Sequence, residues 1–140
     1  MGKISNQQVI QSLTLKFGDR ISVPNEPFGL LTLETSVDHI SKVLRFLKED
    51  KELKFNYLTD ITGIHFPEQK LSIGVIYHLH SLSNNVRVRI KVFLDGKAPN
   101  IPTATTLWEG ANWMERETFD FFGIIFDGHP NLIRILNVDD

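Results

Sequence analysis

Three acidic residues late in the chain could carry acid–base chemistry: Glu115, Glu117 and Asp120. Glu117 and Asp120 stand three apart, so a helix would bring them to one face. Two carboxylates in a cleft can divide the roles of general acid and general base. Arg116 sits among them, however, and the four-residue step from Arg116 to Asp120 suits an ion pair. No nucleophile–base pair accompanies them elsewhere, so structural ion pairing outweighs catalysis and no catalytic residue is assigned. His78 and His80 alternate along a strand-like segment, which sends both rings to one face. That spacing can serve zinc or copper, but no nearby Cys, Asp or Glu completes a ligand set, so a polar sheet face is preferred and no metal site is assigned. His39 and His65 are isolated and read as surface or turn histidines.

Other chemistries are absent from the string. There is no G-x-G-x-x-G fingerprint and no phosphate loop of Walker type, which counts against autonomous nucleotide binding, and no cofactor-binding residue is assigned. The sequence has no cysteine. That removes disulfides, thiolate-held zinc, protein-held iron–sulfur clusters and a cysteine nucleophile, and it fits a reducing compartment.

The elements that must position these residues are legible from periodicity. In Ile4–Phe17, Val9, Leu13 and Phe17 recur at helical spacing until Gly18-Asp19 stops them. Ile21–Pro27 is extended, with Pro24 and Pro27 breaking any ladder. Gly29–Glu34 looks like a strand. Ser36 then caps a helix whose stripe is Val37, Ile40, Leu44 and Leu47. Phe55–Phe66 is β-branched and aromatic, and Pro67–Lys70 is a turn. Leu71–His80 alternates with Leu71, Ile73, Val75, Tyr77 and Leu79 on one face. Asn84-Asn85 turns the chain again. Val86–Leu94 puts Val86, Val88, Ile90, Val92 and Leu94 inward and Arg87, Arg89 and Lys91 outward. Short turns favour antiparallel pairing, so a three-stranded meander is expected. Asp95–Pro102 is a connector. Thr106 and Glu109 form a candidate capping box for a helix from about Leu107 to Phe122, ended by Gly123. Ile124–Phe126 is extended, Asp127-Gly128 turns, and a short apolar segment runs to Leu136. The fold class is α+β: a mixed or antiparallel sheet with helices on one face, then a C-terminal helix and an extended segment.

Composition bounds the reading. The sequence of 140 residues suits one domain with one core, and its hydrophobic share of 41% and charged share of 23% are those of a globular protein. A formal net charge of −2 gives no electrostatic case for nucleic acid or an anionic membrane. The opening MGKISNQQVIQSLTLKF lacks the apolar centre of a signal peptide, and Asn6 stands where a myristoylation signal wants Ser or Thr. The longest uncharged run, Leu71–Val86, is too short to span a bilayer. Membrane contact is therefore expected only through a partner.

From Trp108 to Leu136 charges and large rings are interleaved more densely than a solvated helix or an ordinary core favours. Trp108, Trp113, Phe119, Phe121 and Phe122 include core residues, yet one helix cannot easily bury them all on a small sheet. Either ion pairs are buried among the rings, or another protein covers part of this surface.

The same segment resembles a known family. Glu115-Arg116-Glu117, then Asp120, Gly123, Phe126, Gly128, His129, Pro130, Leu132 and Arg134 resemble the pattern of the thirty-kilodalton subunit, or C subunit, of respiratory NADH–quinone oxidoreductase (complex I). Trp108, Ala111, Asn112 and Trp113 resemble its lead-in. Tyr77-His78-Leu79 and the Arg-rich strand from Val86 resemble its central sheet. The resemblance runs from about Leu53 onward. It implies a non-catalytic structural subunit of the peripheral arm of a proton-translocating enzyme, packed beside the subunits that hold the terminal iron–sulfur cluster and the quinone site. The complex would use FMN, iron–sulfur clusters, NADH and a quinone, none held by this chain. The arm would lie on the cytoplasmic side of the bacterial inner membrane. A related membrane-bound hydrogenase or a ferredoxin- or deazaflavin-linked dehydrogenase, which share the module, is the alternative. The resemblance assigns Trp113, Glu115, Arg116, Glu117, Asp120, Gly123, Phe126, Gly128, His129, Pro130 and Arg134 to an interface or structural motif. An isolated copy could pair weakly with a second through its exposed rings. Family members continue past the late Arg with a polar, basic tail, whereas this sequence stops at Asp140.

Overall fold

The computed structural model of the protein describes residues 4–68 and 70–130. Arg134 and the expected apolar run to Leu136 lie outside the described residues.

The architecture is α+β, with a four-stranded mixed sheet. Its strands are β1 (Leu31–Thr35), β2 (Tyr57–His65), β3 (Ile73–Ser81) and β4 (Val86–Leu94), in the order β1-β4-β3-β2. The meander is present: β2 pairs antiparallel with β3, and β3 with β4. β1 closes the other side parallel to β4, with Leu31 opposite Val88 and Leu33 opposite Ile90. The segment before it touches the outer edge of β1 through two isolated bridges, Ile21–Thr35 and Asn25–Thr32. Pro24 and Pro27 keep this pairing from lengthening into a strand, because proline has no N–H to donate.

All five predicted inward residues of β4 are buried, as are Ile73, Val75, Tyr77 and Leu79 of β3. Leu71 departs from the expected face. It precedes β3, which begins at Ile73, and it is exposed. α1 (Asn6–Phe17) begins at a capping box: Ser5 Oγ accepts the Gln8 N–H at 3.3 Å and Gln8 Oε1 accepts the Ser5 N–H at 2.8 Å. Val9, Leu13 and Phe17 are its buried stripe, as the spacing predicts.

Two helices start later than expected. α2 spans Ile40–Glu49, and no side chain caps it. The Ser36 carbonyl, not its hydroxyl, takes the His39 and Ile40 N–H groups, so the chain enters the helix through a turn that already satisfies those donors. Val37 therefore sits in the turn, while Ile40, Val43, Leu44 and Leu47 form the buried face. α3 spans Ala111–Phe122 rather than starting near Leu107, and the Thr106–Glu109 box is not its cap. The Leu107 and Trp108 N–H groups close a separate turn onto the Ala104 carbonyl. Gly110, with its high entropic cost in a helix interior, separates that turn from α3.

α1, α2, α3 and the inward strand residues contribute to one buried cluster. The helices thus share one face of the sheet. The connector near Pro102 also pairs: β5 (Asn100–Pro102) lies parallel to β6 (Ile125–Asp127).

Candidate functional site

α3 and the segments on either side of it gather most of the residues that the sequence singles out. The helix buries Ala111, Glu115, Thr118 and Phe119, a stripe at helical spacing. It lies close to β2. A Cβ added at Gly63 would stand 2.5 Å from the Phe122 ring, so the absence of a side chain there permits the approach. The Thr118 hydroxyl donates to the Met114 carbonyl at 2.8 Å and lies 3.4 Å from the Ile61 carbonyl of β2. At its end Gly123 adopts φ +70°, and its N–H reaches the Phe119 carbonyl at 2.8 Å.

Glu115 is fully buried, and its partners are not basic. One carboxylate oxygen accepts the Thr103 hydroxyl at 2.6 Å and the other accepts the Ala104 backbone N–H at 2.6 Å. Burial pushes its pKa up to about 7, and the two hydrogen bonds restrain that rise. The Tyr77 hydroxyl, buried on β3, has no hydrogen-bond partner among the described residues. Burial raises its pKa, and the Glu115 charge adds to the rise.

Thr103 also joins Glu115 to the last strand. Its N–H donates to the Asp127 carbonyl at 2.8 Å. Gly128 turns away at φ +90°, and an added Cβ would meet the Thr103 methyl at 3.1 Å. The His129 ring then sets Nε2 3.0 Å from the Asn112 carbonyl in the first turn of α3, which puts the proton on that nitrogen. Phe126 is buried and Pro130 exposed. Glu115 and the Gly128-His129-Pro130 turn are thus two parts of one tie, with Thr103 at its centre. Sequence reasoning does not single out Thr103 and Ala104. Their roles arise from a backbone amide and a common hydroxyl, which leave no sequence pattern.

The expected ion pair between Arg116 and Asp120 is not formed. Among the described residues the ion pair within 4.0 Å is Arg45–Glu49, on the surface of α2. The Arg116 guanidinium instead lies over the Trp113 ring, 5.2 Å from its centroid and one turn back, on the side away from Asp120. Its Nε is buried with no hydrogen-bond partner among the described residues.

Glu117 and Asp120 are both exposed and stand three apart on α3. Glu117 lines a shallow groove between α3 and β2 with Asp60, Phe121 and Phe122, and Asp120 is not part of it. Trp113 is 61% exposed and Phe121 83% exposed, while Trp108 and Phe119 are buried. The rings divide between core and surface.

His78 and His80 do share a face of β3, and Asp60 of β2 lies directly opposite His78. Burial lowers the His78 pKa, with Asp60 opposing that and Arg89 adding to it. Among the described residues no three His, Cys, Asp or Glu come together in a group able to hold a metal ion.

The sequence profile of the respiratory-chain NADH dehydrogenase 30 Kd subunit family matches residues 33–140. The NADH-quinone oxidoreductase C subunit of Roseiflexus sp. (strain RS-1) is 42% identical over 98% of this chain and 79% of its own length. The protein of the same name from Azorhizobium caulinodans is 45% identical over 78% of this chain and 51% of its own length. Among solved structures, the trypsin-resistant fragment of Nqo5 superposes with a TM-score of 0.77 at 28% identity, covering 89% of this chain and 96% of that one. A chain of the membrane-bound sulfane sulfur reductase, an archaeal respiratory membrane complex, gives a TM-score of 0.80 at 23% identity over 96% of this chain and 77% of its own. The second likeness is one of fold.

Proposed function

The chain belongs to the 30 Kd subunit family of respiratory-chain NADH dehydrogenase, complex I, and we propose that it is a non-catalytic, supporting subunit there. Its place in the peripheral arm would be beside the subunits that hold the terminal iron–sulfur cluster and the quinone site, on the cytoplasmic side of the membrane. No helix among the described residues is long and apolar enough to cross a membrane.

The observation that carries this reading is the division of labour on α3. The buried acid, Glu115, is spent on Thr103 and Ala104 inside the fold. The exposed face presents Trp113 and Phe121 to the outside, where large rings are costly unless a partner covers them. A catalytic site would need the reverse, with a tuned carboxylate open to substrate. FMN, the iron–sulfur clusters, NADH and the quinone are then the business of other subunits. The complete lack of cysteine here agrees with that assignment for the clusters. The fold alone is shared with a sulfane sulfur reductase chain. Identities above 40% to NADH–quinone oxidoreductase subunits favour complex I over such relatives.

The test is replacement of Trp113 and Phe121 by serine in the native complex. The expected result is an isolated chain that still folds and loses only the small Arg116–Trp113 contact, about 0.5–1 kcal/mol, with less assembled complex and normal turnover per complex that remains. Wild-type assembly with dead electron transfer would overturn the supporting role.

A further inference from the structure

The sheet has a second face, and no helix of the described chain covers it. On that face β4 sets Arg87, Arg89 and Lys91 in a line, at alternate positions. Their cross-strand neighbours on β3 are His80, His78 and Ile76 in turn. On β1 the neighbours are Thr32, opposite Arg89, and Glu34, opposite Lys91. Three cations spaced about 7 Å apart along one strand repel each other unless something answers them. Among the described residues none of the three is in an ion pair within 4.0 Å, and the carboxylates on this face, Glu34 opposite Lys91 and Asp60 opposite His78, are fewer than the cations.

Two polar atoms on this face are also left without partners. Arg89 Nε and His80 Nε2 are sealed from solvent with no hydrogen-bond partner among the described residues, and His80 itself is 8% exposed. A buried polar atom left unpaired is unfavourable, so the polar half of this face is not fully satisfied within the fold.

Toward the other end the same face turns apolar. Ile64 and Phe93 flank Gly74 across the three strands. Phe66 packs on Phe93, with ring centroids 5.9 Å apart. Ile64, Ile76 and Phe93 are only half-buried, and none belongs to the buried core.

We propose that this outer face is a docking surface for a neighbouring subunit that lays carboxylates along Arg87, Arg89 and Lys91 and an apolar side chain over Ile64 and Phe93. The inference rests on the supporting role proposed above, and it adds a second contact surface on the side of the fold opposite α3. A protein fits better than a lipid or nucleic-acid surface. Glu34 and Asp60 stand within the cationic half and would repel a layer of phosphates, whereas a folded segment can place its charges one by one. Half of the face also offers an apolar floor, which a phosphate backbone cannot use.

The experiment uses the assembled complex. A photo-crosslinking residue replaces Ile76, which sits between the two halves of the face, and the captured peptide is identified by mass spectrometry. In parallel, Arg87→Glu with Lys91→Glu is followed by co-purification, with a thermal melt of the isolated variant to check folding. The expected result is a cross-link to an acidic segment of another subunit, and roughly tenfold less variant in the complex, because like charges now face each other. Reversing the acids of the captured segment should restore assembly. A cross-link to lipid or to a second copy, or no cross-link in a complex that contains the chain, overturns the proposal. So does unchanged assembly of the double variant beside an assembling wild type. A wild-type chain that never enters the complex would instead sink the supporting role itself.

Discussion

Glu115 holds Ala104. Its carboxylate accepts that residue's backbone N–H at 2.6 Å and the neighbouring Thr103 hydroxyl at the same distance, entirely inside the fold. A carboxylate so placed favours its protonated form, with a pKa raised from 4.5 to about 7. The folded chain therefore holds a proton that the unfolded chain releases near pH 4.5. Stability from this group is fully present below pH 4.5 and falls as pH rises to about 7, beyond which the loss is constant. Over that window the loss should be roughly 2–3 kcal/mol. Denaturant titrations at pH 5 and pH 8 should show it, and Glu115→Gln should flatten the difference. A wild type whose stability rises across this window would contradict the assignment.

Glu115→Ala is a harsher change. It strands the Thr103 hydroxyl and the Ala104 N–H in the core and leaves a cavity. The cost should be about 2–4 kcal/mol, well above that of Glu115→Gln. Equal losses for the two variants would mean that filling the cavity contributes little and that the carboxyl group itself accounts for the loss.

Much of this architecture is legible in the residues alone. The alternation of Val86–Leu94 has period two without a break, and every predicted inward residue is buried. The Val9, Leu13 and Phe17 stripe is equally clear. What fails is local. Leu71 continues the alternation on paper, but the strand has not yet begun. Thr106 and Glu109 have capping-box spacing, but Gly110 follows them and the helix starts beyond it. The Arg116–Asp120 pair has helical spacing too, and the Trp113 ring one turn back takes the guanidinium instead. Spacing shows which groups can meet. It does not rank a carboxylate against an aromatic face, nor does it reveal that a backbone amide will claim Glu115.

Gly63→Ala should test the seat of α3 on β2. The new methyl would overlap the Phe122 ring, so either the ring or the helix must shift. A destabilisation of about 1–3 kcal/mol is expected. Adding Phe122→Leu should recover part of it, since the clash is with that ring. Additive losses in this double-mutant cycle would mean that the two positions are not in contact.

Gly128→Ala should act through the backbone. Its φ of +90° is costly for any residue with a Cβ, and the added atom would press on the Thr103 methyl. A loss of about 1–3 kcal/mol is expected. Because Thr103 bonds Glu115, the pH dependence described for wild type should also shift in this variant. Unaltered stability and unaltered pH dependence would detach the turn from the Glu115 tie.

Arg116 carries the last prediction. Were it one half of a buried ion pair, Arg116→Ala would strand a carboxylate and cost several kcal/mol. The structure pairs it with no carboxylate within 4.0 Å among the described residues, and sets it over a Trp113 ring that is itself largely exposed. What the alanine variant removes is then mainly a cation–π contact at the surface, about 0.5–1 kcal/mol. Arg116→Lys should keep part of it, because an ammonium can also sit over the ring. The Trp113→Ala background supplies the control: there, Arg116→Ala should cost almost nothing further. Chemical denaturation of the four chains completes the cycle. A loss of about 3 kcal/mol that persists without Trp113 would show that Arg116 answers a buried charge after all.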